Sequence, residues 1–232
     1  MAIYTFNIFK LTKKLSLKTK QPGEYIRKLA KKRKLSAMIR YFLAAGVSIA
    51  TVWLFIIYST SSAAILILLA GIGSSYYLYR SGKYFQKRAL DARRGAKAET
   101  DVADLLDVLE LKRWQIEYNL RIKRWGDADI VLHSPKGKWY VVDVKSHGGT
   151  KISENGRLRR RYGKNIYDFR EGDLIHKVKG QAREVRKLKG VKWVTAILCF
   201  TRGGVNIIGD ELNGIYVVDA RDLVDILLRL DK

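Results

Sequence analysis

Two uncharged apolar runs lie in the first part of the chain, separated by a short polar segment. The first extends from Tyr41 to Tyr58 and the second from Ala63 to Tyr79. A helix rises about 1.5 Å per residue, so each run is just long enough to cross a bilayer core of about 30 Å. Helices of soluble proteins normally keep a polar stripe, and neither run has one. The pattern predicts a transmembrane helical hairpin over residues 41–79.

Basic residues flank both ends of this hairpin, and they indicate its orientation. Short segments rich in Lys and Arg stay in the cytoplasm, so both flanks are predicted to be cytoplasmic in a multi-pass protein of the cell membrane. The apolar run begins too far into the chain for a cleavable signal peptide. Residues 1–40 form a basic cytoplasmic arm, either an amphipathic surface helix or disordered, which Gln21-Pro22-Gly23 interrupts.

Beyond the hairpin, the apolar spacing changes to a mixture of helical and strand periods, which predicts an α/β domain over residues 90–232. Helices are predicted from about Leu90 to Leu111, Leu174 to Leu188 and Ala220 to Leu230. The predicted strands are Trp114 to Leu120, Ala128 to His133, Trp139 to Lys145, Trp193 to Phe200, Val205 to Ile208 and Ile215 to Val218.

The charge balance separates the two parts of the chain further. Lys and Arg number 45 against 22 Asp and Glu, a net charge of +23. The first ninety residues contain sixteen of the basic residues and only one acid, Glu24. Such a balance favours polyanions, either nucleic acid or anionic lipid headgroups. The single cysteine, Cys199, lies in an apolar run and is predicted to be a core residue in a reducing compartment.

Two carboxylates are predicted to meet on one face of a hairpin. Ser134-Pro135-Lys136-Gly137-Lys138 is typical of a three-residue turn, and pairing Ser134 with Lys138 sets Asp129 opposite Asp143. The strand period of two places Lys145 on the same face. Charges in such apolar strands need compensation, and a divalent cation held by oxygen ligands would provide it. Alone, Asp-Xaa-Lys would more often be a structural ion pair.

The residues at these positions resemble the nuclease-related domain, NERD, of the PD-(D/E)XK superfamily. The resemblance covers roughly Asp91 to Phe200 and rests on three segments: Gly95-Ala96-Lys97-Ala98-Glu99, Gly126-Asp127-Ala128-Asp129-Ile130-Val131, and Asp143-Val144-Lys145 with Gly148-Gly149. It implies a restriction-endonuclease-like mixed central sheet flanked by helices, here preceded by two transmembrane helices. It also implies hydrolysis of DNA phosphodiester bonds with Mg²⁺, for which Mn²⁺ could substitute.

The resemblance also assigns roles to individual residues. Asp129, Asp143 and Glu99 match the acidic metal ligands, while Lys145 matches the lysine that closes the motif and Gln181 a helix glutamine able to bind a phosphate or a metal-bound water. The chain departs from the family at Asp143, where Glu is usual, and at Ile130, where His often stands. The second departure removes one possible phosphate contact.

Cations around these residues form a predicted nucleic-acid surface, because phosphates are bound mainly by Lys and Arg. They lie on the segment after Lys145 and on the helix predicted from Leu174 to Leu188: Arg157, Arg159, Arg160, Arg161, Lys164, Lys177, Lys179 and Arg183. A solvated charge run is the alternative.

The leading hypothesis is a membrane-anchored endonuclease acting on DNA, with RNA not excluded, in defence, repair or the processing of mobile DNA. The alternatives are a catalytically inactive nucleic-acid-binding membrane protein and a membrane adaptor. The complete set of Glu99, Asp129, Asp143 and Lys145 favours the enzyme, since a silent module has no physical need for all four.

Overall fold

A computed structural model describes residues 23–232, which divide into two compact units. One unit spans Tyr25–Ala96, and the other includes Lys97–Lys232. Helices α1 (Glu24–Ile57) and α2 (Ala63–Leu111) account for the first unit, and the last turns of α2 belong to the second. The predicted arm lies largely in residues 1–22, outside the described part of the chain.

Small side chains bring the two helices of the first unit together. Gly71 faces Thr51 so closely that a Cβ on the glycine would overlap the threonine side chain, and the hydroxyls of Ser48 and Ser75 are 2.7 Å apart. The large apolar side chains point away from this contact, with Phe42 73% exposed. Two helices, Ile26–Ile57 and Ala63–Leu111, are long and apolar enough to cross a membrane by length and composition.

The helix boundaries differ from those suggested by the sequence pattern. The second apolar run and the amphipathic helix predicted from about Leu90 are parts of one 49-residue helix, α2. No proline separates them, and the intervening residues are mostly good helix formers, so nothing ends the helix between the runs. The basic residues from Arg27 to Arg40 likewise lie on α1, which begins directly after Gly23.

The second unit is built on a six-stranded mixed sheet in the order β1-β2-β3-β7-β10-β9. Strands β1, β2 and β3 are antiparallel, β3, β7 and β10 are parallel, and β9 returns antiparallel to β10. The expected mixed central sheet flanked by helices is confirmed. Its strands are β1 (Gln115–Leu120), β2 (Ala128–His133), β3 (Trp139–Lys145), β7 (Thr195–Phe200), β9 (Glu211–Leu212) and β10 (Ile215–Asp219).

Helices cover both faces of this sheet. The carboxy-terminal part of α2 and helix α4 (Leu223–Asp231) pack on one face through residues such as Leu106 and Leu227, which are fully buried. Helix α3 (Leu174–Lys189) packs on the other through Val178 and Val185. Strand β3 is therefore enclosed on both faces, which is typical of a strand rich in valine. Cys199 is a core residue, as predicted.

A second, four-stranded sheet in the order β6-β5-β4-β8 contains the basic segment that follows Lys145, which forms the hairpin of β4 and β5. Asn155 and Gly156 form its turn with positive φ angles of 51° and 70°, and β6 follows as a strand that the pattern did not indicate. The strand predicted at Val205 to Ile208 was too long, because Ile208–Asp210 turns as a 3₁₀ helix. The members are β4 (Thr150–Glu154), β5 (Arg157–Tyr162), β6 (Asn165–Tyr167) and β8 (Val205–Asn206).

The loop after β3 is held against the loop after β7 by a close backbone approach. A Cβ on Gly203 would lie 2.2 Å from the carbonyl oxygen of Gly149, and Gly203 has φ +71°. The buried Lys151 reinforces this contact, since its ammonium donates to the carbonyls of His147, Gly149 and Arg202. Together these interactions fix the main chain that directly follows Lys145.

Gly203→Ala is expected to destabilise the protein by about 2–4 kcal/mol. The alanine would have to adopt a left-handed backbone conformation, and its Cβ would overlap the backbone of Gly149. Gly204→Ala is the matched control, since a Cβ there meets nothing within 4 Å. Thermal unfolding of the full-length protein in detergent measures both changes. Equal melting temperatures for the two variants would contradict the proposed contact.

Candidate active site

Asp129 and Asp143 face each other at one end of the β2–β3 hairpin. The Ser134 amide donates to the Lys138 carbonyl, and the register pairs Leu132 with Tyr140 and Ile130 with Val142, as predicted. The next pair in this register is Asp129 with Asp143. The backbone amide of Val144 donates to Asp129 Oδ2 over 2.8 Å.

The Asp143 carboxylate is almost completely buried and is surrounded by donors. Lys145 forms a short ion pair with its Oδ2, while Lys177 Nζ lies 3.4 Å and Gln181 Nε2 lies 3.2 Å from its Oδ1. Strand β3 and helix α3 therefore supply the side chains that converge on this position. Asp143 is 1% exposed, so these contacts replace the water that an ionised carboxylate would otherwise bind.

The cations around Asp143 keep it ionised despite its burial. Burial alone would raise its pKa, but the charges of Lys145 and Lys177 and the donated hydrogen bonds hold the pKa below the ordinary value. Burial likewise works against the charged form of Lys145, yet Asp143 and Asp129 hold the pKa of this lysine above its ordinary value. Asp143 and Lys145 thus form a charged pair at neutral pH.

The other two acids of the site, Asp129 and Glu99, have raised pKa values, in contrast to Asp143. Burial and the charge of Asp143 raise the pKa of Asp129 to about 6. Burial, together with the charge of Asp129, raises the pKa of Glu99 on α2 to about 8, although a hydrogen bond with the Gly23 backbone acts against the shift. Glu99 therefore keeps its proton at neutral pH, and Asp129 loses its proton at a higher pH than an ordinary aspartate does.

Comparison with protein families gives one match, and it covers the segment that contains all six of these side chains. Residues 94–201 match the family model of the nuclease-related domain, NERD. The chain contains a nuclease-related domain. No curated protein and no solved structure matches the chain. The family indicates in general terms a nuclease-related function and binding of nucleic acid.

Gln181 lies in the interior of the nuclease-related domain, whereas a side chain that binds a phosphate would be expected to be accessible. It is fully buried, and its Nε2 donates to Asp143 and to the backbone carbonyls of Asp127 and Trp125. It therefore orients Asp143 and holds the loop before β2. Its Oε1 is buried without a hydrogen-bond partner among the described residues.

The sequence analysis did not identify Trp125, whose ring packs on α3 and whose carbonyl accepts a hydrogen bond from Gln181. Its φ of 73° is unusual for a tryptophan, and its ring lies so close to Gly180 that a Cβ there would be 2.4 Å from the indole. The ring also meets His176 edge-on at a centroid distance of 4.8 Å. The available signal was the glycine inside an otherwise regular helix.

The predicted nucleic-acid cations fall into two groups in the nuclease-related domain. Arg159 is already paired with Glu154 and with Asp168, and Arg160 is partly buried against Phe169. Lys177 points into the site. The remaining cations are exposed or half-buried, and none is ion-paired within residues 23–232: Arg157, Arg161, Lys164, Lys179 and Arg183.

Two lysines have roles that the sequence reading did not assign to them. Lys177 contacts Asp143, and its spacing of four residues from Gln181 on α3 could have indicated a shared face. Lys151 is fully buried, and burial lowers its pKa to about 8. No local pattern separates Lys151 from the solvated lysines around it, since its carbonyl partners belong to two loops.

The domain offers one pair of carboxylates of the kind that binds a hard divalent cation. Mg²⁺ is usually held by one or two carboxylates, with water completing its coordination, and Asp129 and Asp143 offer such a pair. The raised pKa of Asp129 also reflects negative charge that a cation would neutralise. Within residues 23–232 no group of three or more His, Cys, Asp or Glu side chains could hold a metal ion, so Glu99 as a direct ligand stays a prediction.

Asp129→Asn should stabilise the protein at neutral pH. Native Asp129 keeps its proton to a higher pH than the unfolded chain does, so its ionisation lowers the free energy of unfolding as the pH rises from about 4 to about 6. Because Asp129 is partly exposed, we expect a gain of about 1–2 kcal/mol at pH 7.5 and almost none near pH 4.

Thermal unfolding across this pH range, in metal-free buffer, measures the effect. Asp127→Asn is the control, because this aspartate is exposed and lies two residues before Asp129, in the loop that precedes β2. A gain from Asp129→Asn that is equally large at pH 4 would contradict an electrostatic origin.

Proposed function

We propose that this chain is a membrane-anchored, Mg²⁺-dependent DNA endonuclease. The observation that supports the proposal most strongly is the convergence of Asp129, Asp143 and Lys145 at one end of the β2–β3 hairpin of a nuclease-related domain. Asp129 and Asp143 would hold the metal ion, with Glu99 acting through water or on a second ion. When bound, this ion supplies Lewis-acid stabilisation of the phosphate and activation of water.

The side chains of the site divide the remaining work. Lys145 is held protonated by its carboxylate partners, which favours stabilising negative charge on the phosphate and orienting the water over removing its proton. Gln181 and Lys177 fix the Asp143 carboxylate, while the Val144 amide fixes Asp129. The exposed cations Arg157, Arg161 and Lys164 would bind the flanking phosphates.

Membrane anchoring is supported by what the helices of the first unit expose. A helical pair from the core of a soluble protein would bury its apolar side chains, yet Phe42, Trp53 and Leu66 are each more than 60% exposed. These side chains would be in contact with lipid in a bilayer. The basic flanks would then lie on the cytoplasmic side, near anionic headgroups.

Asp143→Asn and Lys145→Met should each lower the rate of plasmid nicking by about 100-fold or more, because each removes a group that contacts the metal ion or the phosphate. We expect Asp129→Ala to have a similar effect and Glu99→Ala a smaller one. The assay uses the full chain in detergent, with and without Mg²⁺ or Mn²⁺.

Asp127→Asn serves as the control and should nick plasmid at the wild-type rate. Folded Asp143 and Lys145 variants that cut as fast as wild type would refute the proposed site. A wild-type protein that binds DNA but never cuts DNA or RNA would favour the inactive nucleic-acid-binding alternative.

The full chain should stay in the membrane fraction at high salt and be released only by detergent, because its attachment is apolar rather than electrostatic. A tag inserted at Ser61, between the helices, should be accessible from the side of the membrane opposite the carboxyl terminus. Release by salt alone, or a tag on the same side as the carboxyl terminus, would contradict the hairpin topology.

A further inference from the structure

A cavity beside α3 presents three cations and an aromatic ring that the catalytic proposal does not use. Its volume is about 350 Å³, at the small end of ligand sites in proteins, which measure about 300–1,000 Å³. Lys179, Arg183 and Arg186 line one side, and Trp193 lines another. Ala182, Val194 and Ala196 provide a buried apolar floor.

The three cations share a face of α3 distinct from the face that reaches Asp143. Lys179, Arg183 and Arg186 follow at spacings of four and three residues, so they lie on one side of the helix. Lys177 and Gln181 both contact Asp143, which marks a different side. The cavity is therefore separate from the candidate active site, although one helix carries both.

No carboxylate balances these cations. None of the three is ion-paired within residues 23–232, and no acidic residue of that range lines the cavity. Like charges one turn apart repel each other, so the arrangement lowers the stability of the isolated helix. The helix dipole accounts for Arg186 near the carboxyl end, but Lys179 and Arg183 lie too far from that end to benefit.

The aromatic wall restricts the anion that would fit. Trp193 is 69% exposed, and within residues 23–232 its ring has no aromatic or cation partner. A tryptophan presented beside unpaired cations is the combination with which proteins bind nucleotides, since bases stack on aromatic rings and phosphates bind Arg and Lys. An inorganic anion or a carboxylate would leave the indole without a role.

We infer that this cavity binds one nucleoside phosphate unit, with the base against Trp193 and the phosphate on Lys179, Arg183 and Arg186. The unit comes either from a single strand of nucleic acid or from a free nucleotide. The inference does not depend on cleavage, because binding here needs no divalent metal and none of the residues that surround Asp143.

Fluorescence anisotropy tests the site with the full chain in detergent, EDTA and a labelled oligothymidylate of about eight nucleotides, within the range of known single-strand sites. Trp193→Ala should weaken binding about tenfold without changing the salt slope, because stacking releases no counterions. Trp193→Phe should restore most of the affinity. Arg183→Gln combined with Arg186→Gln should weaken binding and reduce the salt slope by up to about 0.7, the value for the one phosphate that the site holds.

A double variant with the same loss of charge, Lys112→Gln with Arg113→Gln, is the control. Both side chains are exposed at the end of α2, whose carboxy-terminal part packs on the face of the sheet opposite α3 and the cavity. This control should bind the oligonucleotide within about twofold of wild type with an unchanged salt slope.

Competition with thymidine monophosphate identifies the source of the ligand. If thymidine monophosphate displaces the oligonucleotide from the wild type but not from Trp193→Ala, the site binds a free nucleotide. If the oligonucleotide stays bound in the presence of the monophosphate, the site binds a strand. Two results would overturn the inference. One is a Trp193→Ala variant that binds the oligonucleotide and thymidine monophosphate with wild-type affinity, and the other is an arginine double variant whose affinity and salt slope match those of the control. Loss of plasmid nicking in other variants has no bearing on this result, since cleavage is not measured.

Discussion

The burial of one carboxylate, Asp143, on the central strand β3 constrains much of the second unit. An ionised group with 1% exposure is stable only if the protein supplies what water would have supplied. Lys145 comes from the same strand, and Lys177 and Gln181 come from α3. The position of α3 on the sheet is thus set by polar contacts at Asp143 as well as by the apolar contacts of residues such as Val178.

Two further carboxyl groups lie near Asp143 in the same site. Burial and the neighbouring carboxylates raise the pKa values of Asp129 and Glu99. Ionisation of these two groups is unfavourable in the isolated protein and becomes favourable once a cation binds. These groups therefore lower the stability of the protein and favour the binding of a cation. This agrees with the resemblance of the nuclease-related domain to a superfamily that uses divalent metals.

Glycines and buried polar groups hold the main chain around this site in place. Gly180 makes room for the Trp125 ring, and Gly203 allows the backbone approach to Gly149. Lys151 joins two loops through three carbonyls, although its pKa is lowered to about 8 by burial. These contacts surround the segments before β2 and after β3, so the strand ends that carry Asp129 and Lys145 are rigidly supported.

The sequence by itself determined the features that depend on local periodicity and turn chemistry. The β2–β3 register followed from one turn and a period of two, and the exposed apolar helices from uninterrupted apolar runs. Tertiary structure decided which cations are free, because Arg159 is paired with Glu154 and Asp168, whereas Arg161 has no ion pair within residues 23–232. It also decided that Gln181 is buried, that Lys151 joins two loops and that Lys179 shares a cavity with Trp193. Those facts depend on contacts between residues far apart in the chain, and no local pattern of residue types encodes which long-range partner a side chain meets.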